Sequence, residues 1–163
     1  MQRWLCLLSI ALTVFSLSVV GAGERAEDYL KDGNLKEQVE VLELQGGVAG
    51  FTGNFYTIQA DGSWRTGPVL PRAERGEPKA KGKLTREQLA QLAKELARYD
   101  LANLPNYGQP VVDPKVIEVH FGERVSKLYM RHGDSAEDYG AIGARYHGIA
   151  HAVKMFCKES KKE

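Results

Sequence analysis

"PKVIEVHFGERVSKLYMR" (114–131) decides the fold. Two runs rich in alternating apolar and polar residues flank Gly122-Glu123, a pair that suits a two-residue hairpin turn with glycine at the first central position. That register sets Phe121 against Arg124, Val119 against Ser126 and Ile117 against Leu128 on one face. On the other face it sets Glu118 against Lys127, opposite charges directly across the ladder, and His120 against Val125. The face carrying Ile117 and Val119 is the one expected to be buried, because a one-residue slip would turn the whole apolar set outward.

Working outward, "VEVLELQ" (39–45) and "NFYTIQA" (54–60) are rich in β-branched and aromatic residues and predict a second antiparallel pair. In the first run the apolar set shifts from Val39 and Val41 to Leu42 and Leu44. Either a bulge or a strand covered on both faces would produce that shift. A helix follows: Thr85 and Gln88 form a capping box, Leu84 can staple to Leu89, and Leu89, Leu92, Leu96 and Tyr99 make one apolar stripe. "DLANLPNYGQP" ends it, with prolines that cannot continue a helix and two leucines expected over the sheet edge or the helix end. Asp134 or Ser135 caps a last helix with the stripe Tyr139, Ile142, Tyr146, Ile149, Val153 and Phe156. Gly140, Gly143 and Gly148 interrupt it, each at a cost of about 1 kcal/mol relative to alanine in a helix interior. Gly143 adjoins the stripe, where it would allow close packing on the sheet. The element order ββαββα predicts an α+β fold, a four-stranded antiparallel sheet with two helices on one face.

The chain has 163 residues, 43% hydrophobic and 26% charged, which suits one ordinary domain. Residues 1–23 read as a signal peptide: Arg3, an apolar stretch from Trp4 to Val20, then Gly21, Ala22 and Gly23 before a cut at Glu24. A retained membrane anchor is the competing reading of that apolar run. Cys6 lies too near the start to be an acylated cysteine. Its removal leaves Cys157, so no internal disulfide is expected. Loss of the leader takes Arg3 from the 22 basic residues and none of the 21 acidic ones. The resulting balance argues against nucleic acid and anionic membrane as partners. Residues 24–38 read as a polar, mobile arm, 39–157 as the single domain and 158–163 as a charged tail. Within the domain, 61–83 holds four glycines and three prolines and is expected to be an exposed excursion. Trp64 in that stretch either packs down on the domain or serves a partner.

The glycine-rich segment 46–53 has the composition of a ligand loop but not its pattern. A phosphate loop requires lysine and a hydroxyl residue after its glycines, and neither lysine nor arginine occurs between Glu43 and Trp64. A dinucleotide fingerprint requires a helix next, and a strand pattern follows instead. What remains is a hairpin connection in which glycine supplies positive φ, with Gly47, Val48, Gly50 and Phe51 at an exposed tip able to bind a partner. His147 and His151 share one helix face at a spacing that can hold a metal. The glutamate of the zincin pattern is replaced by Gly148, so no metal site is expected. Cys157 reads as a small buried thiol. Glu118 is explained by Lys127, and no serine sits in a nucleophile elbow. No catalytic residue and no cofactor is expected.

The segment "GGVAGF" (46–51) between two strands, the capped helix "LTREQLAQLA", the "LANLP" ending and the later hairpin with its terminal helix together resemble the emfourins. These are small bacterial inhibitors of protealysin- and thermolysin-type metalloproteases, in which a "GGFAG"-type segment precedes a similar helix. The likeness covers roughly residues 39–156. Val48 stands where the family has an aromatic, and the 61–83 stretch is longer than the family pattern. The arrangement is also similar to other small exported bacterial proteins. The resemblance implies a monomeric, exported protease inhibitor acting through the glycine-rich loop, with a secreted metalloprotease as its protein partner and Gly47, Val48, Gly50, Phe51 and Trp64 as contact residues. The alternative expectation is a small-molecule or metal-binding envelope protein, motivated by His147, His151 and Trp64.

Overall fold

A computed structural model describes residues 25–159. The expected leader 1–23 lies outside them, as do residues 160–163 of the charged tail. The strands are β1 (Leu30–Lys31), β2 (Asn34–Leu35), β3 (Val39–Gln45), β4 (Thr52–Ile58), β5 (Ser63–Leu70), β6 (Glu74–Arg75), β7 (Ala80–Lys83), β8 (Lys115–Phe121) and β9 (Arg124–Met130). The helices are α1 (Arg86–Arg98) and α2 (Gly140–Glu159). β1 and β2 form a small hairpin, and the other seven strands form one antiparallel sheet in the order β6-β5-β4-β3-β8-β9, with β7 beside β6 on the outer side of β5.

The hairpin 114–131 has the expected register at every pair, and Gly122 turns at φ 57°. β3 contains no bulge, since it runs in unbroken register with β4 on one side and β8 on the other. It is covered on both faces. Val39 and Val41 join Ile58, Ile117, Val119 and Leu128 in the main core beneath the helices. Leu42 and Leu44 join Phe55, Val69 and Val116 on the opposite face. Each such side chain contributes about 1.5–3 kcal/mol when fully buried.

The capping box of α1 is closed in both directions: Thr85 N–H donates to Gln88 Oε1 at 2.9 Å and Gln88 N–H to Thr85 Oγ1 at 3.2 Å. Leu89, Leu92 and Leu96 face the core with Tyr146, Ile149 and Val153 of α2. Leu101 and Leu104 are buried beside them. Tyr139, Ile142 and Phe156 end half-buried at the rim. Of the two candidate caps Ser135 is used, its N–H donating to Asp138 Oδ2 at 2.8 Å, and it caps a 3-10 turn (Ala136–Tyr139) ahead of the α-helix. Gly140 is therefore a joint at φ 59° and not a helix-interior glycine. Gly148 has another cause, because a Cβ there would lie 2.2 Å from the Tyr99 ring where α1 ends against α2. Gly143 packs on the 3-10 turn, not on the sheet: its Cβ would lie 1.7 Å from the carbonyl oxygen of Ala136.

Three expectations are corrected. The sheet has seven strands where four were expected, because the supposed excursion 61–83 forms β5, β6 and β7. Its prolines and glycines are compatible with a sheet here. Pro68 points its missing N–H into the gap between β7 and β6, where its carbonyl accepts from Gly76 N–H at 2.9 Å. Gly67 makes room for the Phe55 ring and the Glu77 carbonyl, and Gly82 for the Trp64 indole. The third correction concerns residues 24–38, whose described part is docked on the body. Tyr29 and Leu35 are in the core, and Tyr29 Oη accepts from Ala102 N–H at 3.0 Å. Among the described residues no helix is long and apolar enough to cross a membrane.

The face of the sheet away from the helices carries a row of charges. Glu40 is only 5% exposed and accepts from Thr57 Oγ1 at 3.0 Å and from the Arg75 guanidinium. Glu118 accepts from His120 at 2.6 Å and pairs with Lys127 at 2.8 Å, the cross-strand pair anticipated from the hairpin. Such groups tolerate burial because they are paired.

Two outcomes follow. Helix propensity alone favours Gly143→Ala by about 1 kcal/mol, whereas the backbone clash costs about 3 kcal/mol, a net loss of about 2 kcal/mol in urea unfolding; a gain in stability contradicts the packing. The hydrogen bond from His120 chiefly, with help from Lys127 and against burial, holds the Glu118 carboxyl down from 4.5 to about 2. A carboxyl lower in the folded than in the unfolded chain stabilises fully above about pH 4.5 and loses that contribution as pH falls toward 2, at most about 3 kcal/mol. Glu118→Gln should flatten the stability profile in that window, and an unchanged slope contradicts the pairing.

Candidate partner-binding surface at one end of the sheet

The β3–β4 connection, residues 46–51, is fixed at its base by the neighbouring loop 105–114. Gly46 N–H donates to the Pro114 carbonyl at 2.7 Å, and Gln45 Nε2 donates to the carbonyls of Asp113 at 3.1 Å and Gly46 at 3.2 Å. Glycine is required at 46 because a Cβ would meet Pro114 Cδ at 2.6 Å. On its return the loop closes a turn, Gly50 N–H to Gly47 O at 2.9 Å, and Gly50 takes φ 103°. A Cβ on Gly50 would stand 3.2 Å from the backbone nitrogen of Arg72, so the 71–73 turn abuts the loop from the far side.

This scaffold separates the two apolar residues of the loop. Phe51 tucks back, half-buried, against Leu44 and Val116 on the second face of the sheet. Val48 stands fully exposed at the tip, with Gly47 beside it. Val111 and Val112 from loop 105–114 are also exposed. A cleft of about 420 Å³ lies between Val48 and Val112, lined also by Gly47, Asp113 and His132. The result is an apolar knob on two loops that brace each other.

Of the expected contact residues, Gly47, Val48, Gly50 and Phe51 thus belong to one loop, with only Gly47 and Val48 presented outward. Trp64 is elsewhere. It pairs with Ile58 at the opposite end of β4 and is 2% exposed in the main core, so it packs down on the domain. Val111, Val112 and His132 were not anticipated. "QPVVDP" (109–114) does carry a signal, two valines between prolines where neither strand nor helix can hide them.

The remaining chemistry-bearing residues stand apart from this surface. His147 and His151 are both exposed on α2 with ring centroids 6.2 Å apart. Among the described residues no group of three His, Cys, Asp or Glu side chains converges on one point. Cys157 is buried, and burial pushes its thiol up to about 12. A thiol so placed is almost wholly protonated at neutral pH and a poor nucleophile. No protein-family model matches the chain, and no curated protein sequence matches it significantly.

Proposed function

We propose that the chain is an exported, non-enzymatic binding module that presents the glycine-rich loop 46–53 to a protein partner, and that the partner is a secreted metalloprotease, as for the emfourins it resembles. The observation that carries this reading is Val48, an aliphatic side chain wholly in water at the tip of a loop braced on both sides. Water-exposed valine on a mobile tip would be unremarkable. On a loop pinned by Gln45, Pro114 and the 71–73 turn it is an anchor whose ordering cost has already been met in folding. Val111 and Val112 widen the apolar contact, and Phe51 is the counterweight that holds the tip in place from below.

The test is an inhibition assay of the exported protein against a panel of thermolysin-type proteases. Burial of a valine side chain contributes about 1.5 kcal/mol or more, so Val48→Asp should weaken inhibition at least tenfold while leaving urea stability unchanged. Phe51→Ala should weaken it through loss of loop order and lower stability as well. Absence of inhibition and of binding across the panel removes the metalloprotease reading. Inhibition that is indifferent to Val48→Asp removes the loop from it.

A further inference from the structure

We infer that the free edge of β7 is a docking strand for an extended acidic segment of another protein, one of whose carboxylates seats between Arg65 and Lys81. β7 pairs with β5 on one side and, among the described residues, with no strand on the other. Hydrogen-bond parity fixes what that edge presents. Leu84 N–H donates to the Gly62 carbonyl at 2.9 Å, so Gly82, two residues back, also turns its amide and carbonyl toward β5, and those of Lys81 and Lys83 face outward. A strand edge with unspent donors and acceptors is a template for adding a further strand.

The side chains set the chemistry of the guest. Arg65 and Lys81 are direct partners across β5 and β7, on the face of the sheet away from the helices, and Lys83 follows on the same face. Like charges placed directly opposite destabilise a ladder, and the β8–β9 pair on this face avoids them by setting Glu118 against Lys127. Two lysines alone would be explained as guards against self-pairing at an edge. Arg65 sits on the inner strand, where no edge needs a guard, and it adds to the repulsion. Between these side chains lies an open trough of about 550 Å³, bordered also by Gln59 and Ser63 and lined by no carboxylate. Asp61, near its end, is engaged by Ser63 Oγ at 2.6 Å and by Lys83 at 3.4 Å. Glu40, two strands away in the same row, is answered by Thr57 and Arg75. Arg65 and Lys81 have neither an ion pair nor a side-chain hydrogen bond among the described residues. A carboxylate entering there relieves the repulsion and accepts from both cations. In an added antiparallel strand it belongs to the residue opposite Lys81, and a second acid two positions away meets Lys83. The side chain between them falls on the helix side, over Gly82 and next to the Trp64 indole, where an apolar residue fits. The guest thus reads acidic-apolar-acidic. The edge lies at the Trp64 end of β4, away from the glycine loop, and the inference does not rest on the protease reading.

Backbone-amide NMR of the protein titrated with the acetylated and amidated peptide Thr-Glu-Val-Glu-Thr tests the proposal, with Thr-Lys-Val-Lys-Thr as the control of opposite charge. The acidic peptide should shift the Lys81 and Lys83 amides saturably, with a Kd of about 1 mM or tighter, and slow their exchange with solvent, and the basic peptide should do neither. N-methylation of both glutamates removes the donors that face β7 and should abolish binding. Lys81→Glu should weaken the acidic peptide at least about tenfold. Because it turns the like-charge pair with Arg65 into an opposite one, the same substitution should raise the urea midpoint, so that loss of binding cannot be loss of fold. Arg65→Gln should weaken the peptide about threefold, as one exposed ion pair warrants. The inference is overturned by non-saturating shifts at Lys81 and Lys83, by equal response to the basic peptide, by binding that survives N-methylation, by wild-type affinity in Lys81→Glu, or by a lowered urea midpoint in that variant.

Discussion

The double burial of β3 is the constraint on which the rest depends. From Val39 to Leu42 the strand is hydrogen-bonded on both sides and buried on both faces, so no residue there has a direction in which to be exposed. The helix face is served by Val39 and Val41 and the other face by Leu42 and Leu44. Glu40 falls on that second face, and its carboxylate is tolerable there only because Thr57 and Arg75 answer it. Arg75 can do so because β6 returns along β5. The glycine- and proline-rich stretch is thus bound to the strand it helps to cover.

The same constraint explains why the loop end is ordered. With β3 unable to slide, Gln45 emerges at a fixed point, and its amide reaches the neighbouring loop at Asp113. Gly46 then docks under Pro114. Phe51 re-enters the sheet against Leu44, and the tip is left with Val48 outward. A one-residue slip of β3 would send Leu42 and Leu44 under the helices and Val39 and Val41 to the second face, and would break the Gln45 contact.

Much of this was legible in the sequence wherever local chemistry and the global fold agree. The Gly122-Glu123 turn, the Glu118–Lys127 pair, the Thr85–Gln88 box and the middle of the α2 stripe, Tyr146, Ile149 and Val153, each report on neighbours a few residues away, and each is found as read. Illegible parts depend on partners distant in the chain. Pro68 reads as a strand breaker until its N–H position is seen to face a gap, and Gly82 as a loop residue until Trp64 is seen to lie over it. Tyr29 and Leu35 look too few to anchor an arm, yet each finds a place in a core built from elements far along the chain. Gly148 is explained only by Tyr99, 49 positions earlier. At the candidate surface the glycine loop was visible because its composition is unusual. Val111 and Val112 were not, since their meaning arises from where loop 105–114 lies beside the glycine loop.

Native-state hydrogen exchange at the amides of Val41 and Leu42 tests the central claim most directly. If β3 is held from both sides and both faces, these amides exchange only through global unfolding, and their exchange free energy equals that from urea denaturation. Exchange by local opening, at a free energy well below the global value and no higher than that of edge strand β9, would contradict it.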